Sequence, residues 1–297
     1  MANRKPNRKL RHWLENTVAR VLFGVFGVLP LPVASAIGGW LGGIIGPRLK
    51  RLQARARHNM TRALPELSPD EIERNLKAMW RHLGRMAAEF PHIARLQGPR
   101  GSKHIEIVGA EHLKAARDAK SGGIFFSGHI GNWELSATSI ARYDVNAAFI
   151  YRAPNNPAID RLIRRMRGVA AELFFPKGPA GARDIVRHIK GGGYLAMLMD
   201  QKMNDGIAVP FFGRDAMTAP SLAEIALKYD CPVWPMRIER LRGTNFRVTV
   251  FPPMDLPRTD DRKADVVEIM RRVNTTMEGW IRERPDQWLW PHRRWPD

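Results

Sequence analysis

Apolar positions recur along this chain at two alternating periods, and the alternation predicts an α/β fold. Residues 21–47 carry no charge, but "LPLP" at residues 29–32 divides them, because proline interrupts helical hydrogen bonding. A helix is expected over about 13–29, then a glycine-rich piece, "AIGGWLGGIIG". Ser68, Pro69, Asp70 and Glu71 form a helix-start signature. Leu76, Met79, Trp80, Leu83, Met86 and Ala87 follow at helical spacing, predicting a helix over 69–96. Downstream, "HIEIVGA", "GIFFS", "NAAFIYR" and "YLAMLM" read as short strands. "HLKAARDAK", residues 160–171, "GARDIVRHIK" and residues 219–228 read as the helices between and after them. "PVWPMRIER" and "NFRVTVFPP" look like paired strands around "LRGT", and residues 264–283 form a long amphipathic helix. Alternating strands and helices predict a central, mostly parallel sheet flanked by helices. No internal repeat or low-complexity linker is visible. The expected organisation is a basic N-terminal element, residues 1–58, followed by one catalytic domain, residues 59–297.

Charge changes the picture of that first element. The chain carries 48 Lys and Arg against 29 Asp and Glu, a net charge of +19. Such an excess points to an anionic partner: nucleic acid, an acidic membrane surface or an acidic protein. Arg4, Lys5, Arg8, Lys9, Arg11 and Arg20 precede the uncharged run, and Arg48, Lys50, Arg51, Arg55 and Arg57 follow it. Basic flanks prefer the cytoplasm, and here both flanks are basic. Helices lying in the inner leaflet, or re-entering it, satisfy both ends. A single span, a cleavable signal and a buried helical pair are the alternatives. No nucleic-acid-binding module is visible, and the basic residues are spread along the chain. The single cysteine, Cys231, forbids an internal disulfide and is expected to be a buried apolar side chain.

The candidate chemistry lies in "FFSGHIGNWELSA", residues 125–137. His129 sits where a predicted strand turns towards a helix, the edge at which open α/β sheets bind ligands. A neutral imidazole can take a proton from a hydroxyl, and a carboxylate on its other nitrogen fixes the tautomer. Glu134, in the first turn of the expected helix, is the nearest carboxylate that could do so. The competing reading is helix capping, with Asn132 as N-cap and Glu134 facing the helix dipole. No neighbouring cysteine or second histidine completes a metal site.

"HIGNWE" resembles the H-x-x-x-x-[DE] motif of glycerolipid-type acyltransferases. Its Gly-Asn-Trp-Glu form is similar to the late acyltransferases of lipid A biosynthesis, the lauroyl and myristoyl transferases. "NMTRALPELS", "YRAPNNPAID", "GGGYLAMLMDQ", "VPFFGRDAMTAP" and "PDQWLWPHRRW" resemble that family's blocks in order, over nearly the whole chain. Ala153 departs from it by separating Arg152 from Pro154. The phosphatidylinositol mannoside acyltransferases share much of the pattern.

The resemblance implies a membrane-bound O-acyltransferase of the cell inner membrane, with its catalytic domain on the cytoplasmic face. It would move a fatty acyl chain from acyl carrier protein to a hydroxyl of a lipid A precursor, without metal or organic cofactor. His129 would be the general base and Glu134 its orienter. Arg152 and Arg167 would bind phosphate or the thioester oxyanion. Asn156 falls in the same substrate-binding block. Asp200 and Gln201 would orient a sugar hydroxyl or hold Arg167, unless Asp200 is a turn residue. Phe211 and Phe212 are expected in the core. Trp288, Trp290 and Trp295, with His292, Arg293 and Arg294, suit a membrane boundary or a packed tail. The rivals are an acyl-CoA-dependent enzyme acting on another glycolipid and a non-enzymatic basic protein on a membrane or nucleic acid.

Overall fold

A computed structural model describes residues 8–98, 103–151, 156–167, 174–176 and 179–295, together with 101 and 154. Four helices come first: α1 (Arg8–Val28), α2 (Leu31–Ile45), α3 (Lys50–Ala63) and α4 (Pro69–Glu89). Ser68 caps α4 as expected: its Oγ accepts from the Glu71 amide, and the Glu71 carboxylate accepts from the Ser68 amide at 2.8 Å. A short 3₁₀ turn at Phe90–His92 leads into α5 (Ile93–Gln97). Then come β1 (Ile105–Val108), α6 (Ala110–Ala119), β2 (Gly123–Ser127), α7 (Leu135–Ala141), β3 (Ala147–Tyr151) and α8 (Pro157–Arg167). β4 (Phe174–Pro176), α9 (Pro179–Lys190), β5 (Tyr194–Leu198), β6 (Ile207–Phe211) and β7 (Arg214–Thr218) follow. α10 (Ser221–Tyr229), β8 (Val233–Arg242), β9 (Asn245–Val250) and α11 (Arg262–Glu283) complete the order.

The main sheet has the strand order β1-β9-β8-β2-β5-β3-β4. From β8 to β4 every pairing is parallel; β9 reverses against β8, and β1 runs parallel to β9. The mostly parallel sheet and the paired final strands therefore match expectation. β2 is buried at every position, as a central parallel strand covered on both faces must be. Ile124 and Phe126 face a core built with α3, α4, α10 and α11, while Phe125 faces the opposite core with Tyr194, Trp234 and Met236. Each such side chain contributes about 1.5–3 kcal/mol when fully buried. Cys231 is buried, and burial pushes its thiol up to about 11.

Three features went unseen in the apolar pattern: α3, β4 and the β6–β7 hairpin. The hairpin turns at Phe212 and Gly213, both at positive φ. Such a turn ordinarily uses Asn-Gly or Asp-Gly. Here the Phe212 amide donates to Glu278 Oε1 at 2.8 Å, and its ring packs on Trp290 and Trp295. Phe211 and Phe212 lie in the core, as expected.

No helix among the described residues is long and apolar enough to cross a membrane. The boundary expected at residue 58 falls inside α3. α2 lies along α4 with Ala34, Ser35, Gly38 and Gly39 buried and its large residues Val33, Ile37 and Trp40 turned outwards. α1 likewise exposes Leu14, Val18, Val21, Leu22 and Val25, spaced as one helical stripe.

Candidate active site

The β2–β5 register builds the site. Ser127 pairs with Leu198 at the C-terminal ends of these neighbouring parallel strands, and Met199 continues the ladder by donating to the Ser127 carbonyl at 2.9 Å. Two residues beyond each paired position stand His129 and Asp200, side by side. His129 Nδ1 lies 2.7 Å from Asp200 Oδ1, and the His129 backbone N–H donates to Oδ2 at 2.8 Å. Gly128 permits this approach, since a Cβ there would stand 3.3 Å from the Asp200 carboxylate. Gly131, at φ +56°, then turns the chain away; a Cβ there would meet the Ile238 backbone.

The carboxylate next to His129 is thus Asp200, which corrects the expectation for Glu134. The helix starts only at Leu135, so Glu134 precedes its first turn, and its carboxylate is not the one bonded to the imidazole. Instead it takes a two-pronged ion pair from Arg167, Nε to Oε2 and Nη2 to Oε1, each at 2.8 Å. Asp200 neither holds Arg167 nor faces a substrate hydroxyl: its side chain is wholly buried. Burial alone would raise its pKa, but the positive charge that His129 carries when protonated, and the hydrogen bonds from it, hold the carboxyl well below the usual range.

The C-terminal segment straps this arrangement. Trp288 Nε1 donates to Asp200 Oδ2 at 2.7 Å, His292 Nε2 donates to the Asp200 carbonyl at 3.0 Å, and the Leu289 amide donates to the His129 carbonyl at 3.2 Å. Trp288, Trp290, Trp295 and Arg294 are buried, so this is a packed tail rather than a membrane boundary. Behind the loop, Glu89 is fully buried and accepts from Asn132 at 3.0 Å, Ser35 at 2.7 Å, and Arg240 at 2.6 and 2.7 Å. Burial opposes its ionisation, yet Arg240 and these donors hold its pKa below the usual value. His82, pushed down to about 4 by burial and the Arg240 charge, accepts from Arg240 Nε at 3.2 Å. Asn132 is therefore an anchor of the loop rather than a helix cap.

Because Nδ1 faces the carboxylate, it carries the ring proton, and Nε2 presents a lone pair. Nε2 meets Gln201 Nε2 at 3.2 Å and opens on a cleft of about 440 Å³. Trp133, Glu134, Arg167 and Gln201 stand at its polar side, and Phe125, Ile140, Phe149 and Met236 line its apolar depth. The structure thus brings His129, Glu134, Arg167, Asp200 and Gln201 together. Asn156 goes elsewhere: it is buried and donates to the His12 carbonyl at 2.8 Å and to Glu15 at 3.1 Å, pinning α1. That corrects its expected place in substrate binding. Arg152 lies outside the described residues. Sequence reasoning missed Glu89 and the grip of Trp288 on Asp200; the indole N–H beside a histidine in "QWLWPH" was the available signal.

A base aimed into a cleft with an apolar interior and a polar wall carrying the Arg167–Glu134 pair suits transfer of a hydrophobic acyl group. A family model described as bacterial lipid A biosynthesis acyltransferase matches residues 1–297. Over 288 residues the chain is 26% identical to a lipid A biosynthesis palmitoleoyltransferase of Escherichia coli, covering 96% of this chain and 91% of that protein. It is 24% identical over 292 residues to a lipid A biosynthesis lauroyltransferase of the same organism, covering 96% and 92%. A lipid A biosynthesis acyltransferase of Haemophilus influenzae is 24% identical over 284 residues, covering 91% and 85%.

Proposed function

Since the chain belongs to the bacterial lipid A biosynthesis acyltransferases, and is an acyltransferase, we propose that it moves a fatty acyl chain from acyl carrier protein to a hydroxyl of a lipid A precursor. The observation that carries this reading is His129, with Nδ1 held by Asp200 and Nε2 turned into the apolar cleft. Nε2 takes the proton of the acceptor hydroxyl as its oxygen bonds to the thioester carbonyl carbon. The C–S bond then breaks, the ester forms, and the imidazolium returns the proton to the departing thiolate. Arg167, fixed in the cleft wall by Glu134, stabilises the negative charge that builds on the carbonyl oxygen. Gln201 holds the imidazole from the open side.

The acidic donor and the anionic acceptor both match the chain's net charge of +19. The assay that tests the reading offers the purified full chain a lipid A precursor with either acyl carrier protein or coenzyme A as acyl donor, followed by mass spectrometry. One added ester-linked acyl chain, formed with the carrier-bound donor, is expected. Acylation of a phosphatidylinositol mannoside in preference, with acyl-CoA, would overturn it.

The protein works, on this reading, at the cytoplasmic face of the inner membrane, with α1 and α2 lying in the leaflet surface. Their support is the outward apolar stripe: Val28 is 83% exposed, Trp40 65% and Trp13 60%. Polar residues would face water on an ordinary surface helix, so this inverted pattern suits lipid. Val28→Ser with Trp40→Ser should weaken sedimentation with phospholipid vesicles by at least about tenfold, given the transfer energy of two large side chains. Unchanged sedimentation would remove the stripe from membrane binding.

A further inference from the structure

Away from the cleft, Arg55, His58, Asn59, Arg214, Arg293 and Trp295 line a cavity of about 360 Å³ that shares no residue with the walls around His129. Arg62 lies close enough to Arg214 to depress its pKa, second to burial. Among the described residues, none of Arg55, Arg62, Arg214 and Arg293 has a carboxylate within ion-pair distance, although many other arginines do. Arg214 stacks over the Trp295 ring at 4.8 Å, and its Nη1 is buried without a hydrogen-bond partner among the described residues. Asn59 fixes the floor by donating to the Trp290 and His292 carbonyls at 2.9 and 3.1 Å. Gathering like charges around a concavity costs energy unless an anion shares them.

The position of the cavity says which anion. Leu49, which caps α3, and Leu52 on α3 are exposed, as are the apolar residues of α1 and α2 that precede them in the chain. Arg55, Asn59 and Arg62 follow Leu52 at helical spacings of three and four, so one face of α3 passes from apolar to cationic. On a membrane that order places the arginines at the depth of lipid phosphates. Guanidinium forks match phosphate oxygens, and a concavity takes one tetrahedral group better than a flat protein surface.

We propose that this cavity is a second binding site, which holds the phosphate of an anionic membrane lipid at the edge of the apolar stripe. The proposal uses the membrane-facing orientation of that stripe, but not the acyl-transfer chemistry.

The test compares the full chain with the double variant Arg55→Gln/Arg214→Gln and with a control pair, Arg187→Gln/Arg242→Gln, from outside the cavity. Sedimentation is measured with vesicles of phosphatidylcholine alone and with phosphatidic acid added. The cavity variant should lose roughly tenfold in its preference for the anionic vesicles, and keep its binding to neutral ones. The control pair should lose much less. In neutral detergent, dihexanoyl phosphatidic acid should raise the Tm of the wild type but not of the cavity variant, and inorganic phosphate should do so more weakly. Equal losses in both pairs would mean diffuse attraction and overturn the site. An equal response to inorganic phosphate would overturn the lipid assignment. A raised KM for the acyl carrier donor with lipid preference unchanged would give the cluster to the carrier protein instead. The soluble lipid titration needs no membrane, so its failure sinks the site even if the apolar stripe binds vesicles. Failure of the wild type to bind neutral vesicles counts against the stripe.

Discussion

Replacing Asp200 with asparagine should cut turnover by roughly 10³–10⁴-fold and leave the fold intact. The reason lies in which donors surround the carboxylate. Oδ2 accepts from two fixed N–H groups, the His129 amide at 2.8 Å and Trp288 Nε1 at 2.7 Å. An amide nitrogen cannot sit there, so asparagine must turn its oxygen to that side and its NH₂ towards His129 Nδ1. Nδ1 then becomes an acceptor, the ring proton moves to Nε2, and the base facing the cleft is lost. Both buried N–H groups keep an acceptor, which is why folding survives. His129→Ala removes the base outright and should cost at least about a hundredfold. Glu134→Gln should cost less than Asp200→Asn, because glutamine still accepts one of the two bonds from Arg167. Turnover within tenfold of wild type in folded Asp200→Asn would remove Asp200 from the mechanism. A pH effect accompanies the change. The depressed pKa of Asp200 means that its stabilisation is fully present above the unfolded value of about 3.9 and is lost as pH falls through the folded value. Asp200→Asn should lack that share of the acid destabilisation, which thermal unfolding across the acid range can read.

The contrast between Glu134 and Asp200 shows what the sequence made legible. His129 stood out because an apolar strand ends in Ser-Gly-His, a local signal. Its partner lies 71 residues away, brought close only by the β2–β5 register. Nothing local encodes that pairing, so the carboxylate nearest in sequence was the natural choice. The sheet itself was legible, since β2, β3, β5, β8 and β9 are contiguous apolar or alternating runs. The β6–β7 hairpin was not, because Pro210 interrupts its pattern and Phe212 occupies a positive-φ turn position. The C-terminal tryptophans were ambiguous for another reason. An indole offers an apolar body and one N–H, and both a membrane boundary and a core can use them. The buried Asp200 carboxylate, needing donors, decides for the core.

The N-terminal helices invite the opposite conclusion from the one their composition suggests. A glycine-rich, uncharged segment reads as detachable, and a catalytic domain lacking residues 1–47 would then be expected to fold alone. The packing of α2 on α4 argues otherwise. A Cβ at Gly84 of α4 would stand 2.8 Å from Gly42 Cα and 2.9 Å from its nitrogen, and closer still to the Gly38 carbonyl oxygen. The obstacle is backbone, which cannot swing aside as a side chain can. α2 also supplies the Ser35 hydroxyl to buried Glu89, the same carboxylate that anchors Asn132 behind His129. Gly84→Ala therefore sets two effects against each other. Alanine favours a helix over glycine by about 0.8–1 kcal/mol, so a detached α2 predicts a more stable protein. Overpacking a close contact costs about 1–3 kcal/mol, and more where backbones meet, so a docked α2 predicts a less stable one. We expect the second sign, with the Tm lowered by several degrees and turnover reduced as the Glu89 anchor loosens. The same contacts lead us to expect that the chain lacking residues 1–47 is insoluble or unfolded, its α4 glycine face and Glu89 laid open. A Tm at or above wild type in Gly84→Ala, or a monodisperse, cooperatively unfolding truncation, would show that α1 and α2 are an appendage after all.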